Sequence, residues 1–73
     1  MAKAEISNGI RRLRFDNDEM TQQELADRVG CSRQTIVLLE HSRYVPSLAL
    51  AFRIAETFGM RVDEVFEFQG DSR

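Results

Sequence analysis

The chain has 73 residues, a net charge of −2 and a hydrophobic fraction of 42%. This length favours one domain over residues 1–73, and a chain so short buries only about 60% of the surface that it exposes when unfolded. No stretch approaches the roughly 20 apolar residues that span a bilayer, residues 1–7 do not resemble a signal peptide, and the single Cys31 excludes an internal disulfide. We therefore expect a cytoplasmic protein in which Cys31 is a small apolar residue at a turn, with a redox sensor as the alternative.

The negative net charge, taken alone, argues against a nucleic-acid partner, because phosphate contacts require cations. The acidic residues are concentrated at positions 16–19 and 63–67, however, whereas Arg33, His41 and Arg43 lie close together in the sequence. We expect a modest basic face on an acidic body. Non-specific DNA binding should then be weak and sensitive to salt.

The first predicted elements are an N-terminal arm and a helix. Residues 1–7 form the arm, and residues 4–7 are compatible with a short strand beside the C-terminus. Ser7 or Asn8 can cap a first helix that extends to about Phe15. The inward positions of this helix are Ile10 and Leu13, and its outward positions are Arg11 and Arg12.

Residues 21–43 predict two short helices joined by a glycine turn. Thr21 and Glu24 form a capping box at the start of the first, and Gly30 suits the positive φ that ends it. Ser32 is placed to cap the second helix. The apolar residues expected between the two helices are Leu25, Ala26, Val29, Ile36 and Leu39. This pattern indicates a helix-turn-helix.

The other face of the second helix carries side chains suited to reading DNA bases. They are Arg33, Gln34, Thr35, Val37 and Leu38. In the major groove Arg can bind guanine O6 and N7, Gln can pair with adenine N6 and N7, and an apolar side chain can contact a thymine methyl. The alternative is that the polar residues are simply solvated at a helix start, and composition alone does not separate the two interpretations.

A fourth helix follows Pro46, with Ser47 as its cap and Gly59 at its end. Its predicted core positions are Leu48, Ala51, Ile54, Ala55 and Phe58. Leu50 and Phe52 add further apolar surface, which implies a second packing face.

The C-terminal part predicts a short helix and a strand. The helix runs from about Arg61 to Phe66, and the alternating apolar residues of Val65–Gln69 indicate a strand after it. Residues 70–73 are expected to form a loose tail.

Several motifs occur in register: TQQELADRVG, SRQTI, the dipeptide Leu39–Glu40, YVPSLALAFRIAETFG and VDEVF. From about Ile10 to Phe66 the chain thereby resembles the Cro/repressor family of helix-turn-helix transcriptional regulators, also called the xenobiotic-response-element family. The resemblance is to short, stand-alone members. It implies an all-α, five-helix, lambda-repressor-like DNA-binding domain with a short C-terminal β-strand. The loop at positions 16–19 is one residue longer than the commonest family form.

The resemblance also implies roles for individual residues. Arg14 should pair with Glu40 and tie the first helix to the reading helix, either as a purely structural ion pair or with Arg14 also near a phosphate. Gln22 should contact a DNA phosphate at a helix N-terminus, with a solvated glutamine as the alternative. For Tyr44 the alternative to a DNA-backbone contact is a ring that packs beneath its loop. The implied DNA-backbone contacts are Gln22, Ser32, His41, Arg43 and Tyr44.

Short family members form homodimers through the fifth helix and the C-terminal segment, which would supply a partner for the single predicted strand. We accordingly expect a symmetric homodimer. The predicted interface consists of Phe52, Val62, Val65, Phe66 and Phe68. The alternative is that Phe66 and Phe68 fold back onto their own monomer.

The expected function is sequence-specific binding of double-stranded DNA at an inverted-repeat operator, most commonly for repression. A protein-interaction module, such as an antitoxin or adaptor, is the competing hypothesis, and exposed Val37 and Leu38 would favour it. We predict no enzyme, catalytic residue, cofactor or metal, because the single Cys, the single His and the scattered carboxylates form no recognisable site. We also predict no small-molecule ligand, because a 73-residue fold has little spare interior, and no membrane partner.

Overall fold

The computed structural model describes residues 6–68, in which five helices are joined by short loops and flanked by two short strands. The elements are β1 (Ile6–Asn8), α1 (Ile10–Asp16), α2 (Gln22–Val29), α3 (Arg33–Glu40), α4 (Leu48–Thr57), α5 (Val62–Val65) and β2 (Phe66–Phe68). The predicted five-helix fold with a short C-terminal strand is confirmed. The expected tail at 70–73 and positions 1–5 of the arm lie outside the described residues. No helix within residues 6–68 is long and apolar enough to cross a membrane.

The start of α2 is determined locally by the predicted capping box. The Thr21 hydroxyl accepts the Glu24 N–H at 2.9 Å, and the Thr21 N–H donates to the Glu24 carboxylate at 2.8 Å. Gly30 ends the helix with φ +78°, in the left-handed region that a side chain disfavours. The turn between α2 and α3 is therefore encoded by residues close in sequence.

Two serines cap the next two long helices in the same way. Ser32 accepts the Thr35 N–H at 3.2 Å, and Ser47 accepts the Leu50 N–H at 3.1 Å. Both serines have extended backbone, as N-cap residues usually do. The predicted starts of α3 and α4 are confirmed.

The prediction that Ser7 or Asn8 is the N-cap of α1 is wrong, because Gly9 occupies that position. Asn8 still contributes, since its side-chain oxygen accepts the N–H of Ile10, the first helical residue, at 3.1 Å. The Gly9 N–H donates instead to the carbonyl of Val65 at 3.0 Å. The start of α1 is thus attached to the C-terminal end of α5.

The core is apolar and receives residues from every helix. Its buried members are Ile10, Met20, Leu25, Ala26, Val29, Ile36, Leu39, Leu50, Ala51, Ile54, Ala55, Val65 and Phe66. The predicted contact residues of α2 and α3 all belong to this set. The two helices therefore pack through their apolar stripes, and their other faces remain available.

The predicted core stripe of α4 is wrong at its first position. Leu48 is 70% exposed, whereas Leu50 is only 7% exposed and packs in the core. Phe58 is partly buried against the same core. Because α4 is apolar around most of its circumference, helical periodicity could not identify which leucine faces inward.

Strands β1 and β2 form an antiparallel pair in which Ile6 is opposite Phe68 and Asn8 is opposite Phe66. The strand β2 thus obtains its partner from its own chain, so no second chain is needed to complete the ladder. Phe66 points into the core, while Phe68 is 69% exposed. The expectation that a homodimer supplies the strand partner is corrected accordingly.

Candidate nucleic-acid interface

Three helices meet at a buried carboxylate, Glu40, the last residue of α3. The Arg14 guanidinium of α1 donates to both carboxylate oxygens, through Nε at 2.6 Å and Nη2 at 3.1 Å. Gln22, the first residue of α2, donates to Glu40 Oε1 at 3.0 Å. The side chains of Arg14 and Glu40 are 15% and 6% exposed. This group, the Glu40 junction, sets the direction of α3 with charge-assisted hydrogen bonds.

Arg14 also holds the loop between α1 and α2. Its Nη1 donates to the Met20 carbonyl at 2.7 Å, and the Met20 N–H donates back to the Arg14 carbonyl at 2.9 Å. Asp18 and Glu19 in this loop have φ values of 63° and 54°. Such left-handed backbone is uncommon for residues with side chains, so the bonds to Arg14 stabilise a loop that is not favoured locally.

The C-terminal end of α3 is held by a second set of contacts. The N–H groups of Ser42 and Arg43 donate to the carbonyls of Leu39 and Leu38, both at 2.9 Å. Ser42 has φ 56°, so the helix ends in a Schellman-type turn with serine in place of glycine. Asn8 Nδ2 donates to the Leu39 carbonyl at 2.8 Å. The sequence did not reveal this role of Asn8, because the two residues are 31 positions apart.

The N-terminal end of α3 is open by comparison. Arg33 and Gln34 are exposed, and within residues 6–68 their side chains form no hydrogen bond or ion pair. The Thr35 hydroxyl lies 3.0 Å from that of Ser32. The Ser32 cap fixes the backbone at this end of α3, and the long donor side chains of Arg33 and Gln34 project from it into solvent.

Val37 and Leu38 are less exposed than the sequence suggested. Both are half-buried, so each presents only part of its side chain to a partner. This remaining surface suits a small apolar group such as a thymine methyl better than a broad protein contact. The exposure that would favour a protein-interaction module is therefore reduced.

An open cleft lies beside the start of α2, and Gln22, Gln23 and Arg33 are among its lining residues. The backbone N–H groups of Gln22 and Gln23 have no acceptor within the described part of the chain. Free N–H groups and the helix dipole make such a terminus favourable for an anion. Gln22 thus lies at a helix start that is favourable for an anion, and its side chain is hydrogen-bonded to Glu40.

The loop after α3 contains the other predicted backbone contacts. Nδ1 of His41 lies 3.0 Å from the Val37 carbonyl, which orients the imidazole ring. Arg43 is exposed and has no acidic partner among residues 6–68. Tyr44 is exposed as well, so its ring is not enclosed beneath the loop. The predicted contacts therefore come from two segments next to α3, the start of α2 and the loop that follows α3.

Cys31 is half-buried against the core, and this burial raises the pKa of its thiol. A raised pKa reduces the thiolate fraction, which is the reactive form, and so favours the apolar role over the redox alternative. No group of three His, Cys, Asp or Glu side chains in the described part of the chain could hold a metal ion.

The residues predicted for a dimer interface separate into two groups. Val65 and Phe66 are buried in the core of their own chain, and Val62 is half-buried. Phe52 and Phe68 are exposed, at 54% and 69%. Val65 and Phe66 are therefore not available for a contact with a second chain.

Two apolar residues that the sequence analysis did not assign to an interface are also exposed. Val45 and Leu48 line an open apolar cleft together with Val62, and Val62 also lines an adjacent cleft with Phe52. We refer to Val45, Leu48, Phe52 and Val62 as the outer α4 face. Their assignment required the structure, because it depends on which side of α4 is buried.

The short turn between α2 and α3, together with the exposed start of α3, defines a helix-turn-helix of the type that reads DNA. A helix-turn-helix family model matches residues 10–65. The chain belongs to this family, that of the Cro/C1-type DNA-binding transcriptional regulators. The prediction that it is not an enzyme agrees with this membership.

Similar proteins in archaea and bacteria are described as HTH-type transcriptional regulators. The chain is 46% identical over 52 residues to an uncharacterized HTH-type transcriptional regulator of Methanocaldococcus jannaschii, covering 71% of this chain and 79% of that protein. It is 53% identical over 49 residues to one of Archaeoglobus fulgidus, covering 67% and 69%. It is 44% identical over 61 residues to one of Bacillus subtilis, covering 84% and 91%.

The fold is also similar to that of a solved structure. A crystal structure of a Bacteroides fragilis protein for which DNA binding has been proposed superposes with a TM-score of 0.71. The match covers 85% of this chain and 98% of the other, at 22% identity. At that identity the similarity supports the fold alone.

Proposed function

We propose that this protein represses transcription by binding an inverted-repeat operator as a homodimer, with α3 of each subunit in the major groove. The observation that carries this proposal is the asymmetry of α3. The Glu40 junction holds one end of the helix against α1 and α2, while at the other end Arg33 and Gln34 are exposed and their side chains have no partner among residues 6–68. A helix held in this way can present side chains to base edges in a defined orientation.

The chemistry of the exposed end fits base recognition. Arg33 can donate to guanine O6 and N7, and Gln34 can pair with adenine N6 and N7. Thr35 can hydrogen-bond a base edge, and the accessible parts of Val37 and Leu38 can contact thymine methyl groups. These contacts would supply most of the discrimination between sequences, at about 1 to 3 kcal/mol for each good pair.

The backbone contacts would position this helix on the duplex. Gln22 and the free N–H groups at the start of α2 suit a phosphate on one side of α3. Ser32, at the start of α3 itself, suits another. His41, Arg43 and Tyr44 offer donors on the other side. Contacts on both sides of the groove fix the register without reading sequence.

The outer α4 face supports the homodimer. Leu48 and Phe52 are large, apolar and more than half exposed, and they belong to adjoining clefts. A second copy that covers this surface would bury apolar area that a 73-residue fold leaves in water. A two-fold dimer would present its reading helices to successive major grooves about 34 Å apart, so an inverted repeat is expected. Occupation of a promoter by such a dimer would block transcription.

The test is selection of a randomised DNA duplex by the purified protein at two salt concentrations. The wild type is compared with Arg33→Ala, with Gln34→Ala, with the double variant and with Arg28→Ala, which removes an exposed arginine from the last turn of α2. We expect a two-fold-symmetric site for the wild type and for Arg28→Ala. Each single substitution at Arg33 or Gln34 should cost about 1 to 3 kcal/mol and relax preference at one base pair.

Three results would count against the proposal. Equal weakening on every sequence would reassign Arg33 and Gln34 to the DNA backbone. Enrichment of an asymmetric site would exclude the two-fold dimer. Enrichment of no sequence at either salt concentration would favour a protein partner for the helix-turn-helix.

A further inference from the structure

Arg11 and Phe15 lie one turn apart on the same side of α1 and have no role in the contacts described above. Phe15 is 68% exposed among the described residues, which is high for a large aromatic side chain. Both residues line an open cleft whose other walls are Asn8, Gly9, Arg12 and Glu40. We call Arg11 and Phe15 the α1 patch.

The α1 patch adjoins the candidate DNA-binding surface. Phe15 lines a second cleft, the one shared with Gln22 and Arg33 at the start of α2. Glu40, at the end of the reading helix, lines the first cleft together with Arg11. The patch is therefore continuous with the position proposed for a phosphate.

The two arginines that line the first cleft differ in whether an acidic side chain lies close to them. Arg12 lies near Asp16, with 3.8 Å between Nε and a carboxylate oxygen, and its side chain is almost fully exposed. Arg11 has no acidic partner within residues 6–68. The acidic loop at 16–19 bounds the patch at the end of α1, so the available surface suits one or two phosphates and not a long DNA segment.

We propose that the α1 patch is an additional DNA-backbone contact, in which Arg11 binds a phosphate outside the half-site and Phe15 packs against the neighbouring deoxyribose. The inference rests on the proposed function, because it assumes that α3 enters the major groove. A cation beside an exposed aromatic ring matches the alternation of charged phosphate and apolar sugar along a DNA strand. The contact would extend the footprint without adding sequence preference.

The experiment measures affinity for the selected operator with Arg11→Ala, Phe15→Ala, Phe15→Leu and the control Arg28→Ala. Each protein is titrated at 50 and 200 mM salt. Two duplexes are used, one ending at the outer edges of the half-sites and one about four base pairs longer on each side. Both arginines are exposed, have no acidic partner among the described residues and tolerate alanine in a helix, so the two variants remove equivalent charges.

On the long duplex Arg11→Ala should remove one phosphate interaction from each subunit. Each such interaction contributes about 0.9 to the slope of log affinity against log salt. Between 50 and 200 mM salt, the affinity of the variant should therefore fall less than that of the wild type, by a factor of about 3.5 for each phosphate that it no longer binds. On the short duplex Arg11→Ala and the wild type should behave alike, and Arg28→Ala should match the wild type on both duplexes.

Phe15→Ala should weaken binding to the long duplex by up to about tenfold with an unchanged salt slope, because the phenyl ring contributes apolar burial and no charge. Phe15→Leu should retain much of the affinity.

A salt slope and a length dependence for Arg11→Ala that equal those of the wild type would overturn the inference while leaving the proposed function intact. If the wild type selects no operator, the proposed function fails and the DNA contact of the α1 patch fails with it. An acidic protein would then be the partner to test on this patch.

Discussion

Helices α3 and α4 begin alike and differ in what they expose. Each starts after a serine whose hydroxyl accepts a backbone N–H three residues later. Each also buries an apolar stripe in the same core. The exposed start of α3 carries Arg33 and Gln34, whereas that of α4 carries Leu48. The same local construction therefore exposes polar donors in one helix, where we propose a DNA contact, and an apolar side chain in the other, where we propose a dimer contact.

The attachment of the two helices to the body differs in one respect. Both are held by apolar burial, and α3 is held in addition by the charged hydrogen bonds of the Glu40 junction. Hydrogen bonds are directional and apolar burial is not. A helix that reads base edges must be held in a defined direction. A helix that forms a dimer contact mainly needs enough buried apolar surface to stay packed on the core. The difference in attachment thus follows the difference in proposed role.

The largest effect is expected when the polar attachment of α3 is removed. Glu40→Ala leaves Arg14 largely buried without its counter-charge, which typically costs about 3 to 5 kcal/mol of the free energy of unfolding. Glu56→Ala, near the end of α4, removes an exposed carboxylate and should change it by less than about 0.5 kcal/mol. Urea unfolding of the two variants measures the difference. Similar midpoints for both variants would show that α3 does not depend on the Glu40 junction.

An intermediate effect is expected when the exposed face of α4 is charged. The Leu48→Glu, Phe52→Glu double variant should raise the dimer dissociation constant at least about tenfold, equivalent to about 1.4 kcal/mol. The stability of the monomer should hardly change, because both side chains are already exposed. Sedimentation equilibrium provides the measurement. Phe15→Glu, at a similarly exposed phenylalanine on α1, serves as the control and should leave the dimer dissociation constant unchanged. An equal increase for Phe15→Glu would mean that the outer α4 face is not the interface.

The smallest effect is expected when either serine cap is removed, and the two removals should differ in their effect on DNA binding. Ser32→Ala and Ser47→Ala should each lower the free energy of unfolding by about 1 kcal/mol, because each leaves one backbone N–H unpaired. Only Ser32→Ala should also weaken operator binding at a temperature where both variants are fully folded. Thermal unfolding and DNA titration together test this. Equal weakening of DNA binding by the two variants would mean that α4 has a direct role in DNA recognition.

Apart from the Arg14–Glu40 pair, which the family resemblance implied, the predicted features that the structure confirmed depend on residues close in sequence. The capping box of Thr21 and Glu24 and the serine caps act within three residues, and Gly30 acts at its own position. Such interactions can be inferred from residue types and spacing alone. The helix-turn-helix itself was predictable for this reason, as was the placement of Arg33 and Gln34 on its exposed surface.

The features that were missed depend on packing between distant segments. The choice between Leu48 and Leu50 follows from the placement of α4 on the core, and the pairing of β2 follows from the position of β1. The double role of Asn8 joins residues 31 positions apart. The exposure of Phe15 likewise depends on which segments of the chain pack against α1. Spacing within one segment carries no information on such contacts.

Asn8 links the two ends of the described chain to the reading helix. It is the last residue of β1, it lies opposite Phe66 in β2, and its side chain donates to the Leu39 carbonyl in α3. Pairing β1 with β2 closes a loop of roughly 60 residues, which carries a larger entropic cost than any helical turn. The last contact of α3 therefore depends on long-range contacts that position β1, and not on the local interactions that form the helix.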